Sequence, residues 1–394
     1  MSPRRLALLV TAAALSVGAA GAFSVGPSLE LRIAELAARL VGTPTSPPAT
    51  ATSRPLPTAI AVAALGDLPV RQAEAGSAGA AFGRIRQLSF DGCCAAAWWA
   101  ADSQALHVLD RPTGAAQTGI YALDLWPPGA LPRMVDTRTD MIDSGTRLLV
   151  RPAGEYSIVK DVETGLEWPL PTDGNPVRLS PDGQRAVWWD AAGGRAQVDG
   201  LGRVYASGID GRDPREIGAL WGIDVIGFQP DGRHVLVLGR PMRDRPLYVL
   251  SRLDTDSGAM QELARGLWLS NVLLSPGGSW LAYTVSLDVD QPEANGVWVA
   301  PTTPGLAPPR RLEVHGAYRW RDDARLVYVP MLPGAGAHAL VELDAAQFSS
   351  SLLFDPAELP IRIAGNDWSI APDGSKLAFR SADDRNLWVV ELPR

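Results

Sequence analysis

Cysteine, histidine and lysine are all scarce in this chain: two Cys and four His in 394 residues, and only Lys160 and Lys376 among 36 basic residues. Two cysteines exclude a disulfide framework and a zinc site built from four cysteines. The histidines, at 107, 234, 315 and 338, have no close mutual spacing and so form no metal motif. There is no run of basic residues and no aromatic stripe interleaved with Arg, and the net charge is −7. Nucleic acid is therefore excluded as the expected partner. No Gly-x-Ser-x-Gly elbow occurs, and no Gly-x-x-x-x-Gly-Lys loop. Their absence excludes hydrolase-elbow nucleophilic catalysis and a Walker-type phosphate cradle. The Arg-for-Lys bias fits a GC-rich genome better than an Arg-based recognition surface.

What the chain does have is a repeated sentence. Ser369-Ile-Ala-Pro-Asp-Gly-Ser-Lys-Leu-Ala-Phe379 echoes Arg178-Leu-Ser-Pro-Asp-Gly-Gln-Arg-Ala-Val-Trp188. Degenerate copies centre on Asp102, Asp143, Asp231, Gly277 and Asp322, at intervals of about 40–50 residues. In the full copies Pro presets the turn, Asp bonds the backbone ahead of it and Gly accepts positive φ. Alternating apolar residues follow, such as Val235 and Val237 or Leu377 and Phe379, the period-two pattern of a half-buried strand. A second strand, as in Gly296-Val-Trp-Val299, and a short last strand complete each unit.

These units resemble the Pro-Asp-Gly repeats of TolB-like, WD-type β-propellers, also found in the non-catalytic propellers of prolyl-oligopeptidase-type enzymes. The resemblance covers residues 83–394 and implies an all-β, seven-bladed β-propeller of four-stranded blades. The chain ends at a third strand, so Arg84–Phe90 is expected to supply the missing fourth and close the ring. Propellers are shared scaffolds, so the repeat implies a fold and no particular activity.

Ahead of the ring, Arg4-Arg5 precede an uncharged run from Leu6 to Leu29, with a small-residue triplet at Ala20–Ala22. Residues 1–28 read as a secretory signal peptide or a retained transmembrane anchor, and both readings stay open. Either makes the protein extracytoplasmic, secreted or single-pass membrane anchored, in a bacterial envelope. Residues 29–41 form an amphipathic stalk helix, with Leu29, Ile33, Leu36 and Leu40 on one face. Residues 42–82 are a Pro/Thr/Ala/Gly-rich linker.

The candidate binding residues fall on the loops of one propeller face: Cys93, Cys94, Trp98, Trp99, Asp110, Arg243, Asp288 and Asp290. Cys93 and Cys94 are adjacent and form either a vicinal disulfide, a stiff apolar patch backed by the two Trp, or two small buried thiols. Asp288-x-Asp290-x-x-Glu293-x-Asn295 offers oxygen ligands but lacks EF-hand spacing, and reads as a solvated acidic loop. No metal site, catalytic residue or cofactor is expected. The resulting expectation is a non-enzymatic scaffold that binds an envelope protein, a peptide or a glycan. The alternative is a channel-mouth glycan hydrolase or lyase, drawing carboxylates from Asp110, Asp190, Asp288 and Asp290.

Overall fold

The computed structural model describes residues 85–90, 92–137, 142–143, 148–161, 163–191, 200–286, 288, 291–303, 305–313, 315–332 and 334–393. The expected signal or anchor, stalk helix and linker lie outside these residues. Among the described residues there is no α-helix, only a 3-10 turn at Pro292–Ala294, and no helix long and apolar enough to cross a membrane.

Strand β1 is Ile85–Gln87. A first meander follows: β2 (Ala96–Trp99), β3 (Ala105–Asp110), β4 (Gly119–Asp124) and β5 (Arg133–Asp136). The second is β6 (Ile142–Asp143), β7 (Leu148–Ala153), β8 (Tyr156–Asp161) and β9 (Glu167–Leu170). Next come β10 (Val177–Leu179), β11 (Arg185–Ala191), β12 (Leu201–Gly208), β13 (Arg215–Phe228), β14 (His234–Arg240), β15 (Tyr248–Asp254) and β16 (Met260–Gly266). Two further meanders are β17 (Leu269–Leu274), β18 (Trp280–Val285), β19 (Gly296–Pro301) and β20 (Arg310–Arg311), then β21 (Gly316–Trp320), β22 (Arg325–Pro330), β23 (Leu340–Asp344) and β24 (Ser349–Phe354). The last strands are β25 (Ile363–Ile370), β26 (Lys376–Ser381) and β27 (Leu387–Glu391).

Hydrogen bonding divides these strands into five four-stranded sheets and one seven-stranded sheet, β10 to β16. The expectation of uniformly four-stranded sheets is corrected at β13. This 14-residue strand pairs with β12 through Arg215–Trp221 and with β14 through Trp221–Phe228, with no break between. Register shifts on either side of Asp224 bend it, and the two halves of the sheet pack on each other through Val187, Val204, Val225, Val235 and Leu253. Bulges of this kind re-aim a strand without ending it.

Closure follows the expected route. Strand β1 pairs antiparallel with β27, Ile85 opposite Val390 and Gln87 opposite Trp388, as the fourth strand of the last sheet. The first meander then packs on the last sheet, Trp99, Leu106 and Val108 meeting Ala371, Leu387 and Val389. The core is thus a set of clusters between neighbouring sheets, each built from the apolar alternation read in the sequence. Strands β2, β17, β21 and β25 are the innermost of their sheets, and neighbours among them touch around the ring.

The turns show how one unit depends on the next. In Ser180-Pro-Asp-Gly183, the Asp182 carboxylate accepts the Ser180 hydroxyl at 2.5 Å and the Gln184 N–H at 3.1 Å. The copy Ser275-Pro-Gly277-Gly278 has no Asp. Instead Asp323, from the turn after β21, accepts the Ser275 hydroxyl at 2.5 Å and the Ser279 N–H at 3.1 Å. A Cβ at Gly277 would lie 2.5 Å from the Asp323 side chain, so Gly277 is the space that the borrowed carboxylate fills. Burial pushes the Asp323 carboxyl up, but hydrogen bonds from Ser275 and Ser279 outweigh it and hold it below the ordinary value. Its stabilising contribution is therefore present above the unfolded pKa and is lost as pH falls. Asp323→Ala is expected to destabilise by about 1–2 kcal/mol, as lost caps do. Adding Gly277→Asp to Asp323→Ala should restore part of the loss, whereas Gly277→Asp alone should destabilise. Denaturant midpoints of the three variants check the cycle.

Candidate functional site at the channel mouth

The meander topology puts the loops entering each inner strand, and the loops between second and third strands, on one face. Cys93 and Cys94 lie between β1 and β2, and Asp110 ends β3. Arg243 lies between β14 and β15, and Asp288 between β18 and β19. Asp290 lies outside the described residues.

The structure brings three of these residues together. The Cys93 and Cys94 sulfurs are 2.29 Å apart, the peptide bond between them is cis, and a carboxylate oxygen of Asp110 lies within 4.8 Å of both sulfurs. Their loop is held against the last sheet. Cys93 N–H donates to Arg385 O at 3.2 Å, Gly92 N–H to Asn386 Oδ1 at 2.9 Å, and an Arg380 Nη to Cys94 O at 2.6 Å. Of the two Trp expected to back the cysteines, Trp99 does so, lying in the buried cluster that Cys93 and Cys94 pack against, and Trp98 does not. Trp99 is buried against the last sheet and its Nε1 donates to Ser369 O at 3.4 Å. Trp98 turns to the other side of β2, against Ile120 and Leu149, with His107 edge-on at 6.0 Å. Adjacent residues of a strand point to opposite faces, which parts the pair.

Asp288 and Asp190 are engaged locally. Asp288 Oδ1 accepts the Gln291 N–H at 2.8 Å, and the Asn295 amide bridges the Asp288 backbone. Asp190 accepts the Tyr205 hydroxyl at 3.2 Å. Asp190 belongs to the seven-stranded sheet and Asp288 to the loop between β18 and β19.

Arg243 belongs to a different constellation. Its guanidinium lies 5.5 Å over Trp221, Arg240 lies 5.7 Å over Tyr248, and Tyr248 meets Trp268 edge-on at 5.9 Å. Cations over aromatic faces attract through the ring quadrupole. Trp221 is the residue at which β13 changes partners, so this cluster adjoins the bend that carries Asp224.

Asp224 is the residue that sequence reasoning missed. It is the exposed member of the second half of β13, surrounded by protein yet open to solvent. Burial raises its carboxyl above its ordinary value, opposed by the Arg178 charge and the Val225 N–H. Arg178 reaches across from β10, its Nε donating to Val225 O and Ile226 O, both at 3.2 Å. A second guanidinium lies on β21: Arg319 donates to Tyr318 O at 2.7 Å and packs 5.1 Å over Trp368, and burial lowers its pKa. Asp367 on β25 is paired with Arg380 at 2.9 Å. A signal for Asp224 was present: it is the one charge in Trp221-Gly-Ile-Asp-Val-Ile-Gly-Phe228.

No family model matches the chain, and no curated protein matches it in sequence. Solved structures do match it in fold. An oligogalacturonate lyase in complex with manganese is 13% identical, with a TM-score of 0.53, over 79% of this chain and 91% of that one. The Vibrio parahaemolyticus oligogalacturonate lyase is 12% identical at 0.51, over the same shares. A putative TolB from Agrobacterium tumefaciens is 16% identical at 0.40, over 67% and 95%. At such identities the likeness shows an all-β propeller and nothing finer. It nevertheless corrects one expectation. The lack of a hydrolase elbow points to a non-enzyme, but the fold shared at 0.53 is one that an enzyme uses. The missing elbow excludes one mechanism and not catalysis.

Proposed function

We propose that this protein is a polysaccharide lyase that binds an acidic glycan across the channel mouth, with Asp224 as the proton-transfer group. The observation that carries the reading is Asp224 itself: a solvent-accessible carboxylate on β13, with its proton affinity raised and Arg178 beside it. A carboxylate whose proton affinity is raised, open to solvent beside a guanidinium, is a candidate for general acid–base work. In a lyase step the base takes the proton α to a uronate carboxyl, a carbon–carbon double bond forms, the bond from the β carbon to the glycosidic oxygen breaks, and that oxygen leaves as a hydroxyl with a proton from the newly protonated Asp224 or from water. A guanidinium neutralises the carboxylate as charge builds up. The aromatic faces of Trp221 and Tyr248, with Arg240 and Arg243, suit sugar rings that carry acid groups. Hydrolysis needs two carboxylates. On the innermost strands β2, β17, β21 and β25 the one carboxylate is Asp367, and Arg380 holds it, so Asp224 finds no second free acid there.

Manganese, named for the similar lyase, does not fit the donor set here. Among the described residues the group of metal-ligating side chains is Cys93, Cys94 and Asp110, two sulfurs and one carboxylate, whereas manganese prefers oxygen donors. His234 is engaged with Asp231 at 2.7 Å, and His338 Nδ1 accepts the Ile363 N–H.

The seven-stranded sheet, folded at β13, serves as two blades, which makes the ring seven-bladed. The apolar run after Arg4-Arg5 supports a location outside the cytoplasm. The test is incubation of the purified chain with polyuronates, following ultraviolet absorbance of the unsaturated product. Wild type should form product, and Asp224→Asn should lose activity by about 100-fold or more. The raised carboxyl adds a second readout. A folded-state pKa above the unfolded value gives stability that is present at low pH and lost as pH rises through the folded value. At neutral pH Asp224→Asn should therefore melt higher than wild type. Glycan binding without product in wild type would support the scaffold reading, in which the same face docks an envelope glycan, peptide or protein.

A further inference from the structure

The cluster at the entry to β2 is unused by the proposed reaction. Two sulfurs and one carboxylate converge on a loop anchored to the last sheet. All three residues are partly exposed, so solutes reach them. Asp110 sits in this position because β3 runs antiparallel beside β2, with Ala95 N–H donating to Leu109 O at 3.0 Å.

We propose that Cys93, Cys94 and Asp110 form a redox-gated site for a thiophilic divalent cation such as Zn²⁺ or Cd²⁺. In the oxidised protein the sulfurs are joined as a vicinal disulfide and offer no thiolate. A dithiol reductant supplies two electrons and two protons, breaks the sulfur–sulfur bond and itself closes to a disulfide. The two thiols then lose their protons to solvent as the cation binds. Two thiolates and a carboxylate give three ligands, and water completes a tetrahedral set. Soft sulfur donors select zinc and cadmium over manganese, magnesium or calcium. The cation is held at the seam where the ring closes, so its binding is linked to closure.

The site is tested on the protein reduced with dithiothreitol and desalted without oxygen, titrated with Cd²⁺ alone. The cadmium–thiolate charge-transfer band should rise to about one equivalent per chain, as one three-ligand site requires. Melting temperature should rise with it, since the cation binds the folded state. Oxidised protein and Cys94→Ser should lose the band. Asp110→Asn, which keeps both thiols, should show it with a weaker, right-shifted titration. No band in reduced wild type with two titratable thiols overturns the site. So does a band of equal strength in Cys94→Ser, or an Asp110→Asn titration that superimposes on wild type. A pair of thiols that mild oxidant cannot convert to a disulfide overturns the gate.

Discussion

Glu342→Ala is expected to be among the most damaging single substitutions in this chain. Glu342 on β23 and Arg321 after β21 are 2% and 4% exposed and lie 2.7 Å apart. Arg321 also donates from Nε to Gly374 O at 2.9 Å and from Nη2 to Pro393 O. One guanidinium therefore ties the sixth turn region to the Pro-Asp-Gly turn of the last sheet and to the C-terminal segment. Other units place Ser or Gln at this point, as Ser180, Gln229 and Ser275 do. Removing the carboxylate leaves a buried cation with no equivalent counter-charge. A loss of about 3–5 kcal/mol follows from breaking one side of a buried pair, or a fall of roughly 6–10 °C in Tm at ~2 °C per kcal/mol. Replacing both residues with Met and Leu should be milder than either alanine variant, because no charge is stranded. Denaturant unfolding of all three checks the order. If the double apolar variant is the least stable, the stranded-charge account is wrong.

Removal of residues 84–90 should also produce a large effect. The segment gives the last sheet its fourth strand, and Ile85 packs with Trp368, Leu377 and Val390. Leu88 N–H donates to Leu387 O at 2.8 Å, Ser89 Oγ accepts the Leu387 N–H at 2.8 Å, and Arg86 reaches Leu125 O at 2.6 Å. Deletion exposes the β27 edge and unfastens the first meander from the last. An unpaired edge is a template for association with other chains. The truncated protein should therefore melt lower and aggregate in a concentration-dependent way, readable by light scattering during a thermal scan. Unchanged melting would show that closure rests on packing of β2 against β25 alone.

The strands were legible because their signal is local. Pro-Asp-Gly turns and period-two alternation placed β11, β14, β18, β22 and β26, and the unfinished final unit pointed to β1. What was not legible depended on contacts between units. Nothing in Arg215–Phe228 announces that β13 runs unbroken from one pairing to the next, since its turn chemistry is replaced by bulges around Asp224. The site was legible only in part. Adjacency brought Cys93 and Cys94 to notice, and β3 pairing then placed Asp110 beside them. Trp98 and Trp99 looked like a platform in one dimension, but the pleat sends them to opposite faces. Asp224 was hidden because a bulge controls its exposure and Arg178, 46 positions earlier, gives it its charged neighbour.

The carboxylate that Asp323 lends to the Ser275 turn has a consequence for how this chain can evolve. A module that lacks its own acceptor loses a turn contact when it is copied, deleted or moved without its successor. Retaining Asp323 therefore favours inheriting these two units together, which makes them less interchangeable than the rest.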